Sequence, residues 1–533
     1  MKIEIKMYLD LIIEKGLLID GTGMPGVRMD LGIKGNKIEL IAEYIPGNNC
    51  TRINAEGMIV APGFIDIHSH SDFLWLACRE SESKILDGVT TEVCGNCGLS
   101  AFPLRGKLLE RRKQGLSKYG IVPAWRSASG FFDIAEGINS SVNRAFLVGH
   151  GNIRACVVGY DNRVPDKDEL SAMEKYLEEA MKAGAFGMSS GLIYPPGCYA
   201  ECDEMVKLCR MVNEYGGFYA THIRSEGDAL EDAIAEAIKV SKESGVKLQI
   251  SHIKTSGRQN WHKLKDVKTL IERAIDEGVD VTCDRYPYIA AATDLDVVLP
   301  AWVYEGGIED QIKRMKDRNT RERIAKEIAK ADEGAFWSGI VISSVFSQKN
   351  KWMVGKSVAE IAEVQKKVPL EMVLDILIEE DTRVDIFLFN MSEKNLESIL
   401  NWDFVFVGSD SSTRAINGIL RDGNPHPRSY GTFSRVLGKY CRENKILSKE
   451  KAIHKMTGLP AQKAGLDRRG LLKEGYYADI TIFNPEKIID KSTFADPHRY
   501  SEGIEYVMVN GKVTVEKGKH TGITSGKILR KTS

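Results

Sequence analysis

Hydrophobic and polar positions alternate along this chain with two different periods. Near the N-terminus the period is two, and Tyr8 to Glu14, Leu17 to Ile19, Met29 to Ile33, Lys37 to Ile41 and Gly57 to Val60 each read as short strands. Turn pairs such as Asp20-Gly21 and Gly35-Asn36 separate them. The C-terminal end has the same texture over Tyr477 to Phe483 and Ile504 to Val515, with Asn510-Gly511 as a hairpin turn. The pattern predicts that 1–62 and 466–533 pair into one small β-sandwich.

Between the two ends, short apolar runs end near His68, Cys94, Gly149, Ser189, His222, His252, Tyr286 and Asp410. Most are followed by a segment of helical period, such as Ser171 to Lys182, Ala229 to Ser244 and Lys263 to Glu277. Eight such units predict an α/β fold, a (β/α)8 TIM-like barrel of parallel strands over 63–465. The stretch from Tyr286 to Asp410 is far longer than one unit needs. It holds the charged helical run Ile308 to Ala331 and the apolar run Gly339 to Phe346, and predicts an inserted subdomain at 294–355 near the barrel mouth.

Composition narrows the classes. The chain has 533 residues, 43% hydrophobic and 28% charged, which suits a folded protein of barrel-plus-domain size. A net charge of -1 with mixed signs offers no footprint for nucleic acid or for a polybasic membrane surface. No apolar run approaches the roughly 18 residues that span a bilayer. The opening Met-Lys-Ile-Glu-Ile-Lys-Met lacks a signal-peptide core, and ten scattered cysteines suit reduced thiols in a cytoplasm.

Active sites of such barrels form at the C-terminal ends of the strands, so the polar residues there are the candidates. His68 and His70, in Gly63-Phe-Ile-Asp-Ile-His-Ser-His, leave the first strand on one side, as paired ligands of a divalent metal must. His222 and His252 end the fifth and sixth strands, one βα unit apart. Either alone could be a core histidine, but at matching strand ends they point to the same central space. Cys97 follows the second strand and is either a thiolate ligand or a structural cysteine. Its Cys-x2-Cys with Cys94 has no second copy to make a zinc ribbon. Asp410 ends the eighth strand and suits ligation or general-base work, although Ser-Asp also makes helix caps and turns. Lys254, Tyr194 and Tyr286, with Tyr288 beside it, are candidates for holding a substrate carboxylate, and His150 for lining the site. His262, His426, His454, His498 and His520 look structural.

At this point the chain resembles the N-acyl-D-amino-acid deacylases (D-aminoacylases) of the amidohydrolase superfamily. The likeness runs nearly end to end. It rests on Leu18-Ile-Asp-Gly-Thr-Gly, Gly63-Phe-Ile-Asp-Ile-His-Ser-His, Gly95-Asn-Cys-Gly-Leu-Ser, Ser190-Gly-Leu-Ile-Tyr-Pro-Pro, Thr221-His-Ile-Arg-Ser-Glu-Gly-Asp, Ser251-His-Ile-Lys, Tyr286-Pro-Tyr, Gly408-Ser-Asp, His426-Pro-Arg, Tyr430-Gly-Thr-Phe and Lys455-Met-Thr-Gly-Leu-Pro-Ala. The Gly-Asn-Cys-Gly run is the most specific, because most dinuclear relatives bridge their metals with a carboxylated lysine. The resemblance implies that Cys97, His222 and His252 hold a tight Zn2+, with His68 and His70 at a second, weaker position. It makes Asp410 the general acid/base, and Lys254, Tyr194 and Tyr286 the carboxylate contacts. Two departures bear on the substrate. Ala292 stands where the family commonly has serine, and Ser411 follows Asp410 where it often has glycine, with Arg414 close enough in sequence to reach the substrate. The expected activity is zinc-dependent hydrolysis of N-acyl-D-amino acids, with a small-molecule partner, no nucleic acid and no membrane, and a homo-oligomer left open. The alternatives are a cyclic-amide hydrolase (dihydroorotase- or hydantoinase-like) and a catalytically silent scaffold.

Overall fold

In the computed structural model, residues 8–46, 50–328 and 333–531 are described, and parallel strands carry the middle of the chain. Among the described residues they are β1 (Phe64–Asp66), β2 (Val89–Cys94), β3 (Asn143–Phe146, resuming as Val148–Gly149), β4 (Gly187–Gly191), β5 (Phe218–His222), β6 (Lys247–Ile250), β7 (Val281–Arg285) and β8 (Val405–Val407). Each pairs in parallel with the next, β1 to β2 to β3 and then β3 through to β8. Nearly every position on them is buried. A parallel strand covered on both faces must be apolar along its length, which is why these strands read as continuous runs.

The intervening helices carry explicit start and stop signals. Lys167–Ala183 opens with a capping box of Asp166 and Glu169 and ends at Gly184, whose φ of 108° suits a residue without a Cβ. Leu230–Ser244 ends the same way at Gly245. The buried faces of these helices join the strands in one large apolar cluster.

β1 and β8 meet differently. Past their ends the Asp410 amide donates to the His68 carbonyl at 2.8 Å, the His70 amide donates to the Ser411 carbonyl at 3.1 Å, and Ser69 bridges Ser411 in parallel sense. Gly408 lies in this seam, where a Cβ would stand 2.8 Å from the His68 Cβ.

Strands from both chain ends share a seven-stranded sheet in which Ile480–Phe483 runs antiparallel to Ile59–Pro62. Leu11–Glu14, Asp30–Lys34, Lys37–Ala42 and Thr51–Asn54 form a four-stranded sheet, and Ile13, Leu31, Ile33, Val60, Ile480 and Met508 belong to one apolar cluster drawn from both sheets. Asn510 and Gly511, at φ 49° and 77°, make the tight turn between Ile504–Val509 and Lys512–Glu516.

The long stretch after β7 builds a unit larger than the 294–355 segment expected from sequence. Its antiparallel sheet has Val384–Phe389 at the centre, with Ala290–Asp294 and Ile340–Val345 on either side. The central strand comes last in the chain. Helices Val358–Gln365 and Pro369–Glu379 pack into the same core as Leu295, Ile340 and Ile386. Those two helices have the period of ordinary barrel helices, so the pattern alone placed the boundary too early. The charged run from Ile308 folds as two helices, Ile308–Lys316 and Arg318–Ile328, and 329–331 lie outside the described residues, as do 1–7. Among the described residues no helix is long and apolar enough to cross a membrane.

Candidate metal centre and active site

The ends of the parallel strands gather two overlapping groups of donor atoms. His68, His70, Cys97 and Asp410 form one, and Cys97, His222 and His252 the other, with all donor atoms of a group within 4.8 Å of each other. Cys97 belongs to both. Its Sγ lies 3.4 Å from Nε2 of His68 and 3.6 Å from Nε2 of His252. Two ligands at ordinary Zn–S and Zn–N lengths on a tetrahedral ion stand about 3.5 Å apart, so these separations fit a shared ion.

Local backbone aims the donors. Cys97, His252 and Asp410 all have positive φ, at 53°, 35° and 50°, a region that non-glycine residues enter at a cost and that clusters at functional sites. The Gly95-Asn-Cys-Gly98 turn explains its own glycines. A Cβ on Gly95 would stand 2.2 Å from the Leu147 carbonyl, and one on Gly98 2.7 Å from the Gly191 amide. Asn96 ties the turn down through a 2.9 Å bond from its side-chain amide to the Val93 carbonyl.

The ring nitrogens sort by role. His222 is buried and faces Cys97, and neither of its nitrogens makes a well-formed hydrogen bond among the described residues, Glu226 Oε1 standing 3.7 Å from Nε2. A buried orphan acceptor is costly, and a metal ion would satisfy it. His252 turns Nε2 to Cys97 while its Nδ1 lies 2.9 Å from Glu226 Oε1. His68 turns Nε2 to Cys97 and Asp410 while Nδ1 lies 3.0 Å from Asp284 Oδ1. A ligating Nε2 carries its proton on Nδ1, where Asp284 is the acceptor for His68; at His252 the Glu226 carboxylate shares the Nδ1 side with the Lys254 ammonium, 2.8 Å away. His70 Nε2 lies 3.1 Å from Asp410 Oδ1. The donor set thus fits zinc.

Electrostatics agree. Burial works to raise the Cys97 thiol, but the charge of His68 and the imidazoles turned towards it outweigh burial and hold it well below its ordinary value, as a thiolate. Burial likewise opposes ionisation of Asp410, but Arg428, His252 and His68 hold it well below the usual carboxylate range. Arg428 Nη1 stands 2.8 Å from Asp410 Oδ2, leaving Oδ1 to face His68 and His70.

Around the donors, Tyr194 packs edge-on against His222 with centroids 4.9 Å apart. Lys254 Nζ is 2.8 Å from His252 Nδ1, pairs with Glu226, and sits 5.8 Å from the Tyr286 ring centre. The buried Tyr286 hydroxyl has no partner among the described residues. Tyr288 donates instead to Asp490. Two expected residues have partners outside the donor groups. His150 is committed to Glu204 at 2.7 Å, and the same carboxylate pairs with Arg154. The charged neighbours of Arg414 are Asp385 and Asp422, and its backbone is pinned by Ser83. His426 is wedged among Tyr288, Phe387 and Phe494 and bonds the Ala290 carbonyl. The strand-end rule passed over Glu226, Asp284 and Arg428. Glu226 comes from a loop and Arg428 from the first position of the helix Arg428–Arg435, whereas Asp284 is a polar residue inside β7, two positions before the expected strand end at Tyr286.

Imidazole, thiolate and carboxylate donors converging on the C-terminal ends of parallel strands define a metal-dependent hydrolase. The amidohydrolase family model matches residues 51–515. A D-aminoacylase of Alcaligenes xylosoxydans xylosoxydans is 34% identical over 98% of both chains. The structure of an N-acyl-D-glutamate deacylase from Bordetella bronchiseptica, complexed with zinc and a phosphonate inhibitor, superposes with a TM-score of 0.83 at 31% identity, covering 98% of this chain and 100% of that one. A D-aminoacylase structure with a binuclear metal centre gives the same TM-score of 0.83 at 32% identity and the same coverage. The chain belongs to the N-acyl-D-amino-acid deacylases of the amidohydrolase family.

Proposed function

We propose that this protein is a cytoplasmic enzyme that hydrolyses N-acyl-D-amino acids to a carboxylate and a free D-amino acid. The observation that carries the reading is the pair of donor groups sharing Cys97, with Asp410 inside one of them. In this reading β1 to β8 close a (β/α)8 barrel, the two sheets near the termini form a β-sandwich, and the unit after β7 is an insertion at the barrel mouth. Cys97, His222 and His252 hold the tight zinc, and His68 and His70 serve a second, weaker position. The D-aminoacylase relative with a binuclear centre is described as activated by one metal and attenuated by the second, which supports unequal positions here.

Zinc held by these residues would supply Lewis acidity towards the amide carbonyl and lower the pKa of water towards about 7. Asp410, kept ionised by Arg428, accepts the proton of the attacking water. Oxygen adds to the amide carbon, the C–N bond breaks, and Asp410 returns the proton to the departing amine. Lys254, Tyr194 and Tyr286 orient the substrate carboxylate. Arg414 and His150 are left out of that set because their partners lie elsewhere. Against a cyclic-amide hydrolase that bridges its metals through a carboxylated lysine, Cys97 fills the shared place and β4, Gly-Met-Ser-Ser-Gly, has no lysine.

The test is a panel of N-acyl-D and N-acyl-L amino acids with a hydantoin, read as free amine or ring opening, on the wild type and on Asp410→Asn. The expected result is D-selective amine release, with kcat of Asp410→Asn lower by about 10²–10⁴-fold. L-only cleavage overturns the stereochemistry, ring opening alone favours the cyclic-amide reading, and near-normal turnover of Asp410→Asn removes that residue from its role.

A further inference from the structure

Behind the metal ligands lies a buried charge network that the proposed chemistry does not use. Lys84 sits on the short helix Glu82–Ile85, and its side chain is 2% exposed. Its ammonium donates to Asp66 Oδ2 at 2.8 Å, to Ser409 Oγ at 2.7 Å and to the Ser411 carbonyl at 2.8 Å. All three contacts flank site residues. Asp66, the last residue of β1, is two residues before His68 and accepts the Ser409 amide at 2.9 Å. Ser409 and Ser411 are the two neighbours of Asp410.

Glu92 extends the network to the other side of the same strand end. It accepts from Ser69 Oγ at 2.7 Å and Ser71 Oγ at 2.5 Å, the two neighbours of His70, and pairs with Arg144 at 2.9 Å and Lys84 at 3.6 Å. Ser71 Oγ in turn accepts the Thr413 amide at 2.8 Å. One ammonium therefore ties the chain before His68 to the chain on both sides of Asp410. It does so at the seam where β1 and β8 have no strand ladder of their own. None of its hydrogen bonds goes to Cys97, His222 or His252.

We infer that Lys84 is a positioning residue, and that its bonds to Asp66, Ser409 and Ser411 fix Asp410 against His68 and His70 and so set the second metal position. Ordinary hydrogen bonds across the seam place the two backbones near each other. A cation bonded to three oxygens from both sides also fixes the angle at which Asp410 leaves its left-handed turn. The Cys97, His222 and His252 half has its own support, Glu226, on the far side. Asp284 Oδ1 spans the two halves, 3.0 Å from His68 Nδ1 and accepting the His252 amide at 2.9 Å, but the hydrogen bonds of Lys84 go to neither Asp284 nor Glu226.

The inference rests on the proposed reading of Asp410 and of the two metal positions. Its test uses the full-length protein carrying one tight zinc per chain, titrated further with Zn2+ alone, and steady-state hydrolysis of an N-acetyl-D-amino acid. Lys84→Gln is expected to keep the tight zinc and to weaken the second by about 10–100-fold, the range for losing a partner that orients a ligand. It should lower kcat with KM nearly unchanged, and cost no further kcat in an Asp410→Asn background. Ser409→Ala, which leaves the Lys84–Asp66 pair intact, should show the same pattern more weakly and carries the test if Lys84→Gln does not fold. Wild-type second-zinc affinity and kcat in the variants overturn the inference. So does a loss of tight zinc parallel to the loss of the second, or a full kcat penalty on top of Asp410→Asn. A wild type that takes up no second zinc, or an active Asp410→Asn, is a failure of the underlying reading; in the first case the kcat coupling between Lys84 and Asp410 still decides the inference.

Discussion

Glu226 Oε1 lies 2.9 Å from Nδ1 of His252, and the same carboxylate pairs with Lys254. One group thus fixes both a metal ligand and a cation assigned to the substrate. Burial opposes its charge, but Lys254, His222 and His252 hold it well below the usual carboxylate range. Glu226→Gln keeps the shape and removes the charge that faces both His252 Nδ1 and Lys254. Tight-zinc affinity should fall about 10–100-fold, measured by competition with a chelator on folded protein. Unchanged affinity would reduce Glu226 to a partner of Lys254 alone.

Arg428 does the corresponding work for Asp410 at 2.8 Å. Its charge favours the ionised carboxylate, so its removal raises the Asp410 pKa. The base form is then lost at a higher pH as the solution is acidified. Arg428→Met should shift the acid limb of kcat/KM to higher pH and lower the plateau by about tenfold or more. A pH profile superimposable on the wild type would separate Arg428 from Asp410.

Gly408 is placed by a close approach rather than by its backbone angles. A Cβ there would meet the His68 Cβ at 2.8 Å, with the Asp284 carboxylate 3.3 Å away. Both neighbours are held, so neither can yield cheaply. Gly408→Ala should cost about 1–3 kcal/mol of stability, read by denaturant unfolding of the metal-depleted protein, and should also impair the His68 position. A neutral Gly408→Ala would show that the seam can open.

Lys455 gives a pH prediction away from the site. Its ammonium is buried and donates to the Val405 carbonyl at 2.7 Å and to that of Trp402, at the start of β8. Burial, then the nearby Lys451 charge, pushes it down from 10.5 to about 7. Between those values the unfolded chain binds the proton and the folded one does not, so this residue's contribution to stability rises with pH across that window, by up to about 1.4 kcal/mol per pH unit. Below about 7 both states are protonated and the contribution is absent. Lys455→Met should remove that rise, seen as a stability difference from the wild type that grows between about pH 7 and 10. A difference independent of pH would contradict it.

The donors that the structure gathers could be picked out of the sequence because each ends or closely follows a buried strand, and a polar residue there breaks an apolar run. Their supports could not. Lys84 and Glu226 act on other side chains from a short helix and a loop, where no periodicity singles out one charge among many, and Arg428 follows His426-Pro at the start of a helix. Arg414 shows the opposite error. Nearness to Asp410 in sequence says nothing about where a long side chain points, and Ser83 pins its backbone beside Asp385 and Asp422 instead. His150 ends β3 but also begins a helix, which turns its ring to Glu204. The insertion boundary failed because sheet order is a long-range property: Val384–Phe389 is central in space and last in sequence.

The sheet shared by both chain ends also constrains how the protein is made. Ile59–Pro62 emerges from the ribosome long before its sheet neighbour Ile480–Phe483. Until Ile480–Phe483 is synthesised the early strand has an open edge and an uncovered apolar face, the condition in which chains pair wrongly or aggregate. Synthesis of Ile480–Phe483 is therefore the event that retires this liability, and a ribosome stalled before residue 480 leaves the Ile59–Pro62 edge unpaired.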